Sequence, residues 1–378
     1  MARTNFVPTG AKIKVIGCGG AGCNAINRMV REQIRGVEFI AMNTDAQQLA
    51  FTEAATRLQL GERLCRGMGA GGDPTVGGKA ADESRDDIRE AVSGADMVFV
   101  TAGMGGGTGT GSAPVVADIA KQSGALTIAI VTKPFTFEGR HRLANAEGGI
   151  ENLQDKVDTL IIIPNDRLLD LCDQKMSIDN AFKVADDVLH QGVQAIAEVI
   201  TVPGLINLDF ADIRTIMKDA GPAWMSIGKG TGPNRAIDAA RMALASPLLD
   251  VSMEGAKGVL FQVTGGSNLT LLEVNAAAEV IKQAVDQDAN VIFGMSINSA
   301  NTDQEIRLTL IATGFEGMYG PGSSAKHEKE LTSMLKNLKT EEQLDMPSFL
   351  RQKDISKAKP APVTQQQYQP QYKAPVKR

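Results

Sequence analysis

The sequence predicts an α/β fold. A doubly wound, mostly parallel sheet is joined by a long central helix to a smaller α/β domain, with a disordered C-terminal tail. Three observations carry this. Short apolar runs alternate with helical patterns through Pro164, glycine-rich turns follow the early runs, and an unbroken helical pattern from Ile178 to about Ile200 precedes a second α/β series.

The elements follow in order. Lys12 to Ile16 reads as the first strand, then Gly17 to Gly22, then a helix through Asn24 to Val30. Val37 to Met42 is a second strand, Gly67 to Gly78 a glycine-rich loop, and Ala80 to Val92 a helix. An apolar run from Met97 leads into Gly105-Gly106-Gly107-Thr108-Gly109-Thr110-Gly111. The next helix is predicted to start at Ser112 as N-cap, with Pro114 in its first turn. Leu126–Thr132 and Leu160–Pro164 complete the first strand series. In the long helix, Ser177 is placed as cap and Pro203-Gly204 as stop. Beyond it the pattern gives helices at Arg235–Ala245 and Leu269–Gln287, and strands at Val259–Thr264, Val291–Ile297 and Ile306–Thr313. After Phe315 the chain turns polar, and Lys353 to Arg378 is rich in Pro, Gln and Lys, which build no core.

The chain has 378 residues, 43% of them hydrophobic, a length that favours two domains. Mean hydropathy is −0.09. A net charge of −5 gives no general reason to bind nucleic acid. The four cysteines (Cys18, Cys23, Cys65, Cys172) form no CxxC pair and the three histidines are scattered, so no zinc site is indicated. Free thiols in a reducing cytoplasm are expected. Met1 to Gly10 lacks an apolar leader core and no apolar run reaches spanning length, so the expectation is a cytoplasmic protein without direct membrane insertion.

The chemistry is concentrated in the glycines. Strand, glycine loop and helix N-terminus make a phosphate cradle, because backbone N–H groups can close on anionic oxygens and the helix dipole favours negative charge. Gly17-x-Gly19-x-x-Gly22 fits a dinucleotide fingerprint, which taken alone is a weak signal for an oxidoreductase. The longer loop at 105–111 points instead to a run of phosphates held from two sides. Gly77-Gly78-Lys79-Ala80 fails as a P-loop, since the lysine lacks its Ser/Thr.

The 105–111 run resembles the signature loop of the tubulin/FtsZ GTPase family. Gly19–Asn24, Asn43-Thr44-Asp45, Thr132-Lys133-Pro134-Phe135, Pro164-Asn165-Asp166 and Asn207-Leu208-Asp209-Phe210-Ala211-Asp212 occur in the family's order. The resemblance covers about residues 10–316 and returns at 345–351. It implies a Rossmann-like GTP-binding domain at 11–176 after a flexible 1–10, a connecting helix at 177–202 and a GTPase-activating domain at 203–316. A linker at 317–344, a recognition peptide at 345–352 and a basic tail at 353–378 follow. It implies GTP hydrolysis to GDP with Mg²⁺, and head-to-tail filaments forming a division ring at mid-cell beneath the membrane.

By position, Gly20, Ala21, Gly22, Cys23 and Asn24 would line the nucleotide, and Gly106, Gly107, Thr108 and Gly109 would surround its phosphates. Family members often have glycine where Ala21 stands; one methyl is tolerable at negative φ. Glu138 and Arg142 match residues near ribose and phosphates. Asp186 would accept from guanine, Phe182 would stack on the base, and Asn165 would add a hydrogen bond. Spacing alone reads Asp186 as a solvated helix face, Phe182 as core and Glu138–Arg142 as a solvated pair. Asn207, Asp209 and Asp212 are the implied catalytic residues, acting on the next subunit's nucleotide. Asp209 also reads as the cap of a helix beginning near Phe210, with Asp212 in its first turn. Asp345, Met346, Pro347, Phe349, Leu350 and Arg351 would dock on membrane-tethering or regulatory division proteins. Two departures from the family stand out: the segment before the peptide is short, and 26 residues follow it (353–378), with six basic side chains against one acid. Rival classes are an NAD-dependent oxidoreductase and a GTP-binding scaffold without turnover.

Overall fold

The computed structural model describes residues 10–34, 36–169, 178–201, 209–246, 255–297 and 305–315. Ser177, Cys172, Pro203-Gly204, Asn207 and everything from 316 onward, including the 345–351 peptide, lie outside the described residues.

The first half alternates as expected. In order it comprises β1 (Ile13–Cys18), α1 (Gly19–Arg31), β2 (Val37–Asn43), α2 (Ala46–Ala50), β3 (Thr56–Gln59), α3 (Glu62–Cys65), α4 (Pro74–Glu83), α5 (Arg85–Val92), β4 (Met97–Gly103), α6 (Thr108–Gln122), β5 (Leu126–Lys133), a 3-10 turn (Thr136–Glu138), α7 (Arg140–Gln154), β6 (Thr159–Pro164) and α8 (Asn165–Leu169). The second half comprises α9 (Ile178–Thr201), α10 (Phe210–Met217), β7 (Gly221–Thr231), α11 (Arg235–Leu244), β8 (Gly258–Gly265), α12 (Leu271–Ala284), β9 (Asn290–Ile297) and β10 (Glu305–Thr313).

Among the described residues ten strands form one sheet, ordered β3-β2-β1-β4-β5-β6-β7-β10-β8-β9. Pairings from β3 through β7 are parallel, β10 runs antiparallel to β7 and β8, and β8 is parallel to β9. The two halves meet where Thr159–Ile161 of β6 pair with Gly221–Ala223 of β7. The strand order reverses beside β1, between β2 and β4, which in open α/β sheets puts ligands at the strands' carboxyl ends there.

α9 spans the seam. Ala185, Val188, Leu189, Val193 and Ile196 are buried at helical spacing, in one apolar cluster with Ile130 of β5, Ile161 of β6, Met225 of β7 and Ile311 of β10. Fully burying such a side chain contributes roughly 1.5–3 kcal/mol, so this stripe fastens α9 to both halves.

Four expectations change. Gly77 and Gly78 are in helix α4, so the glycine loop ends at Asp73, which caps α4 by accepting from Thr75 N. The helix predicted at 80–92 is two, α4 and α5, broken at Ser84. α6 starts at Thr108 instead of near Ser112, which puts Pro114 inside it. Gly111 shows why: a Cβ there would sit 2.1 Å from the Pro74 carbonyl and 2.4 Å from Gly78 N. α4 and α6 pack backbone to backbone, and that packing sustains a helix whose composition opposes one. β7 and α7 carry no clear pattern in the sequence, because glycines interrupt both: Gly228 and Gly230 in β7, Gly148 and Gly149 in α7. Gly228 and Gly230 are required, since Cβ atoms there would lie 1.9 Å from carbonyls of α11.

Candidate functional site

Two helix N-termini converge at the carboxyl ends of β1 and β4. A Cβ on Gly19 would stand 2.6 Å from Gly109 N, so the starts of α1 and α6 abut. Each helix leaves unpaired N–H groups and a positive dipole end at that place, which together attract an anion. Gly22 serves packing: a Cβ there would lie 2.6 Å from the Thr101 carbonyl, so it lets α1 sit on the sheet. Gly106 has open space where its Cβ would be and lies half-buried at the mouth. Gly105 adopts φ +103° and donates to Thr110 Oγ1 (2.8 Å), which pins the turn leading into Gly106.

Ala21 is half-buried and Asn24 is exposed. Cys23 is 1% exposed, with Sγ near the Met42 carbonyl (3.9 Å). Only its backbone is therefore available to a ligand. Burial pushes its thiol up to about 11 and that of Cys18 up to about 12, which makes both inert packing groups. Cys18, Cys23 and Cys65 are free and buried.

Thr108 and Thr44 share a hydrogen bond between their Oγ1 atoms (2.5 Å), which ties α6 to the end of β2. Asp45 then caps α2, accepting from Gln47 N and Gln48 N. The other wall is the loop 67–73, seated on Gly107: a Cβ on Gly107 would meet the Ala70 methyl and Asp73 N at 2.9 Å each. The roles of Thr44 and of this loop carried no spacing signal, although glycine density marked the loop.

Glu138 and Arg142 stand across the glycine turn. Arg142 Nη1 donates to Glu138 Oε2 (2.5 Å), and Glu138 Oε1 accepts from Phe135 N (2.9 Å). The Arg142 side chain is 57% exposed, which leaves donors of its fork free to reach an anion. Arg142 is also adjacent to the cradle, since a Cβ on Gly105 would lie 2.8 Å from its carbonyl.

Phe182 is exposed and so is not core. It meets Phe135 edge-on at 5.5 Å, while Phe135 and Phe137 stack at 4.9 Å, giving an aromatic cluster in which Phe135 is buried and Phe137 and Phe182 are exposed. Asn165 heads α8 and is 5% exposed, and its Oδ1 accepts no hydrogen bond among the described residues. A buried orphan acceptor of this kind fits a ligand N–H. Asp186, one turn after Phe182 on α9, is half-buried; burial pushes its carboxyl up to about 7 against the opposing pull of Arg28. A group with two N–H donors would restore the carboxylate there.

Asp209 and Asp212 cap α10 reciprocally. Asp209 Oδ1 accepts from Asp212 N (2.8 Å) and Asp212 Oδ2 from Asp209 N (3.4 Å). Both are exposed. The carboxyl end of α10 is anchored at the amino end of the parallel strands: the Met217 carbonyl accepts from Thr159 Oγ1 at the start of β6. Asp219, just beyond α10, lies 3.5 Å from Lys121 at the far end of α6, about 20 Å along that helix from Thr108. No hydrogen bond among the described residues joins either acid to the glycines.

Residues 12–173 match the Tubulin/FtsZ family, GTPase domain, and residues 221–316 the FtsZ family, C-terminal domain. Among solved structures, the chain is similar to an empty FtsZ dimer from M. jannaschii, at 47% identity over 82% of this chain and 89% of that one, with a TM-score of 0.79. A GTPγS-bound protofilament of CetZ2 from Haloferax volcanii shares the fold, at 18% identity over 86% and 99% of the two chains, with a TM-score of 0.70. Among the described residues no helix is long and apolar enough to cross a membrane.

Proposed function

The chain belongs to the tubulin/FtsZ family of GTPases, and on that premise we propose that it binds and hydrolyses GTP at a site shared by adjacent head-to-tail subunits of a division filament. The supporting observation is the separation of parts. The converging N-termini of α1 and α6 supply the phosphate cradle, while the exposed acids sit on a helix anchored at the opposite end of the strands.

In this scheme guanine lies against Phe182 and donates its ring N–H and amino group to Asp186, with Asn165 as a further partner. Gly20 to Asn24 line the nucleotide, with the N–H groups of Gly20 and Ala21 in the first turn of α1 left to bind it, Gly106 to Gly109 surround the phosphates, and Arg142, oriented by Glu138, supplies a cationic fork. The residues suit Mg²⁺ held largely by phosphate oxygens: the described residues offer no group of three His, Cys, Asp or Glu side chains as a cage, and the cradle's own donors are N–H and hydroxyl groups. When bound, that ion neutralises phosphate charge. Asp209 and Asp212 of one subunit orient and polarise the water that attacks the γ-phosphate on the next, with Asn207 beside them. A repeated contact between unlike surfaces that does not close gives a filament, and losing the γ-phosphate weakens it.

Within this proposal residues 11–176 bind nucleotide, 177–202 connect, and 203–316 carry the activating acids. The 345–352 peptide engages membrane-tethering or regulatory partners across the 317–344 linker, placing the filament beneath the membrane at mid-cell.

The test is GTP turnover per subunit against protein concentration, with light scattering in parallel and Asp212→Ala as control. A threshold above which turnover and scattering rise together is expected, with Asp212→Ala binding GTP but turning over poorly. Constant turnover per subunit down to high dilution would overturn the shared site.

A further inference from the structure

Asn145 touches both sides of the phosphate mouth. It lies on α7, one turn beyond Arg142, and its Nδ2 is 3.5 Å from the Gly72 carbonyl and 3.3 Å from His141 Nδ1. Gly72 belongs to the loop that walls Gly107. Gly71 (φ +60°) and Gly72 (φ +81°) have nothing within 4 Å of where a side chain would begin, so side-chain packing does not brace the turn on those faces. Asn145 connects that turn to the helix that carries the cationic fork.

We propose that Asn145, oriented by a neutral His141, is a positioning residue that latches the Gly71–Gly72 turn over the nucleotide's phosphates. The inference rests on the nucleotide site proposed above. Its chemistry follows from donor counting. An amide nitrogen only donates, so His141 Nδ1 must accept and the ring must carry its proton on Nε2. Protonated His141 presents N–H at Nδ1, and donor then faces donor. Rotating the amide to relieve this aims Oδ1 at the Gly72 carbonyl, acceptor against acceptor. Either way the latch opens. The charged groups on the elements that meet here are Arg140, Arg142, Glu147 and Glu151 on α7 and Asp73 on the loop. The Asp73 carboxylate is engaged by Thr75 N and Oγ1, each at 2.8 Å.

The experiment is release of a fluorescent N-methylanthraniloyl GTP from the full chain, below its assembly threshold, with guanosine binding measured in parallel. Asn145→Ala is expected to release the nucleotide about 3- to 10-fold faster, the loss of one hydrogen bond, with guanosine affinity unchanged. His141→Ala should do the same, while His141→Gln, whose amide oxygen still accepts, should restore slow release. Equal release by Asn145→Ala and the unsubstituted protein, or an equal loss for guanosine, would overturn the latch. Failure of the unsubstituted protein to bind the GTP probe would remove the nucleotide site itself, and the latch with it.

Discussion

The methyl of Ala21 points at Gly103: a Cβ built on Gly103 would lie 2.6 Å from the Cβ of Ala21. The extra methyl at 21 is accommodated because the last residue of β4 has no side chain. The substitution Gly103→Ala should therefore destabilise the protein by about 1–3 kcal/mol through overpacking. Ala21→Gly alone should cost little more than the helix propensity difference of ~1 kcal/mol. The double variant should recover most of the Gly103→Ala loss, since the next contact of that Cβ is Thr132 Oγ1 at an ordinary 3.5 Å. Denaturant midpoints of the four proteins give the coupling, and additive losses would show that the two positions do not share the space.

Glycines of the 105–111 run divide into two kinds, and substitution should separate them. Gly111→Ala places a methyl 2.1 Å from the Pro74 carbonyl and must push α4 from α6. A loss of about 3 kcal/mol or more is expected, with a lowered melting temperature even without nucleotide. Gly106→Ala meets nothing within 4 Å, so its melting temperature should hold while nucleotide affinity falls. Equal thermal losses at both positions would contradict this division.

That division marks how far the sequence was legible. Apolar runs mark β1, β2, β4, β5 and β6 because buried strands have continuous side-chain patterns; the edge strand β3, Thr-Arg-Leu-Gln and only part-buried, has no such run. The glycines announced a phosphate cradle, but the pattern could not distinguish a glycine that frees a loop from one that lets two backbones touch. Gly77 and Gly111 are of the second kind, and so α6 begins four residues before the capping pattern at Ser112. β7 escaped for the same reason, since Gly228 and Gly230 make room for α11. Asp186 and Phe182 were visible only as members of a helix. Their meaning comes from their surroundings: for Phe182 the Phe135–Phe137 pair, and for Asp186 burial with no hydrogen bond among the described residues.

The two roles of Asp209 are separable by substitution. Asn caps a helix about as well as Asp, so Asp209→Asn should keep the capping bond to Asp212 N and the melting temperature. Asp209→Ala should lose about 1 kcal/mol. If the carboxylate also polarises the attacking water, both variants should lose turnover by about 100-fold or more, the scale expected for a positioned acid–base group. Assembly with GTP should persist in Asp209→Asn, giving longer-lived filaments by scattering. Full turnover in Asp209→Asn would confine this residue to its capping role.

Asp186 should show opposite signs in stability and in binding. Its carboxyl is raised by burial from the ordinary 3.8 to about 7. Between those values the folded protein holds a proton that the unfolded chain has released. Stability from this group is therefore full below about 3.8 and is lost as pH rises to about 7, by at most ~4 kcal/mol. Asp186→Asn removes the penalty, so the nucleotide-free variant should melt higher than the unsubstituted protein at pH 8 and equally at pH 3.5. Binding runs the other way. Guanine needs the carboxylate, so GTP affinity should rise with pH through about 7 in the unsubstituted protein. In Asp186→Asn it should be flat and weaker by about 100-fold, the loss of two charge-assisted bonds. Xanthosine triphosphate has a carbonyl where guanine has its amino group, so it matches the amide N–H of the variant and should recover part of that loss. A variant that binds GTP normally at pH 8 would remove Asp186 from base recognition and leave its raised carboxyl as a consequence of burial alone.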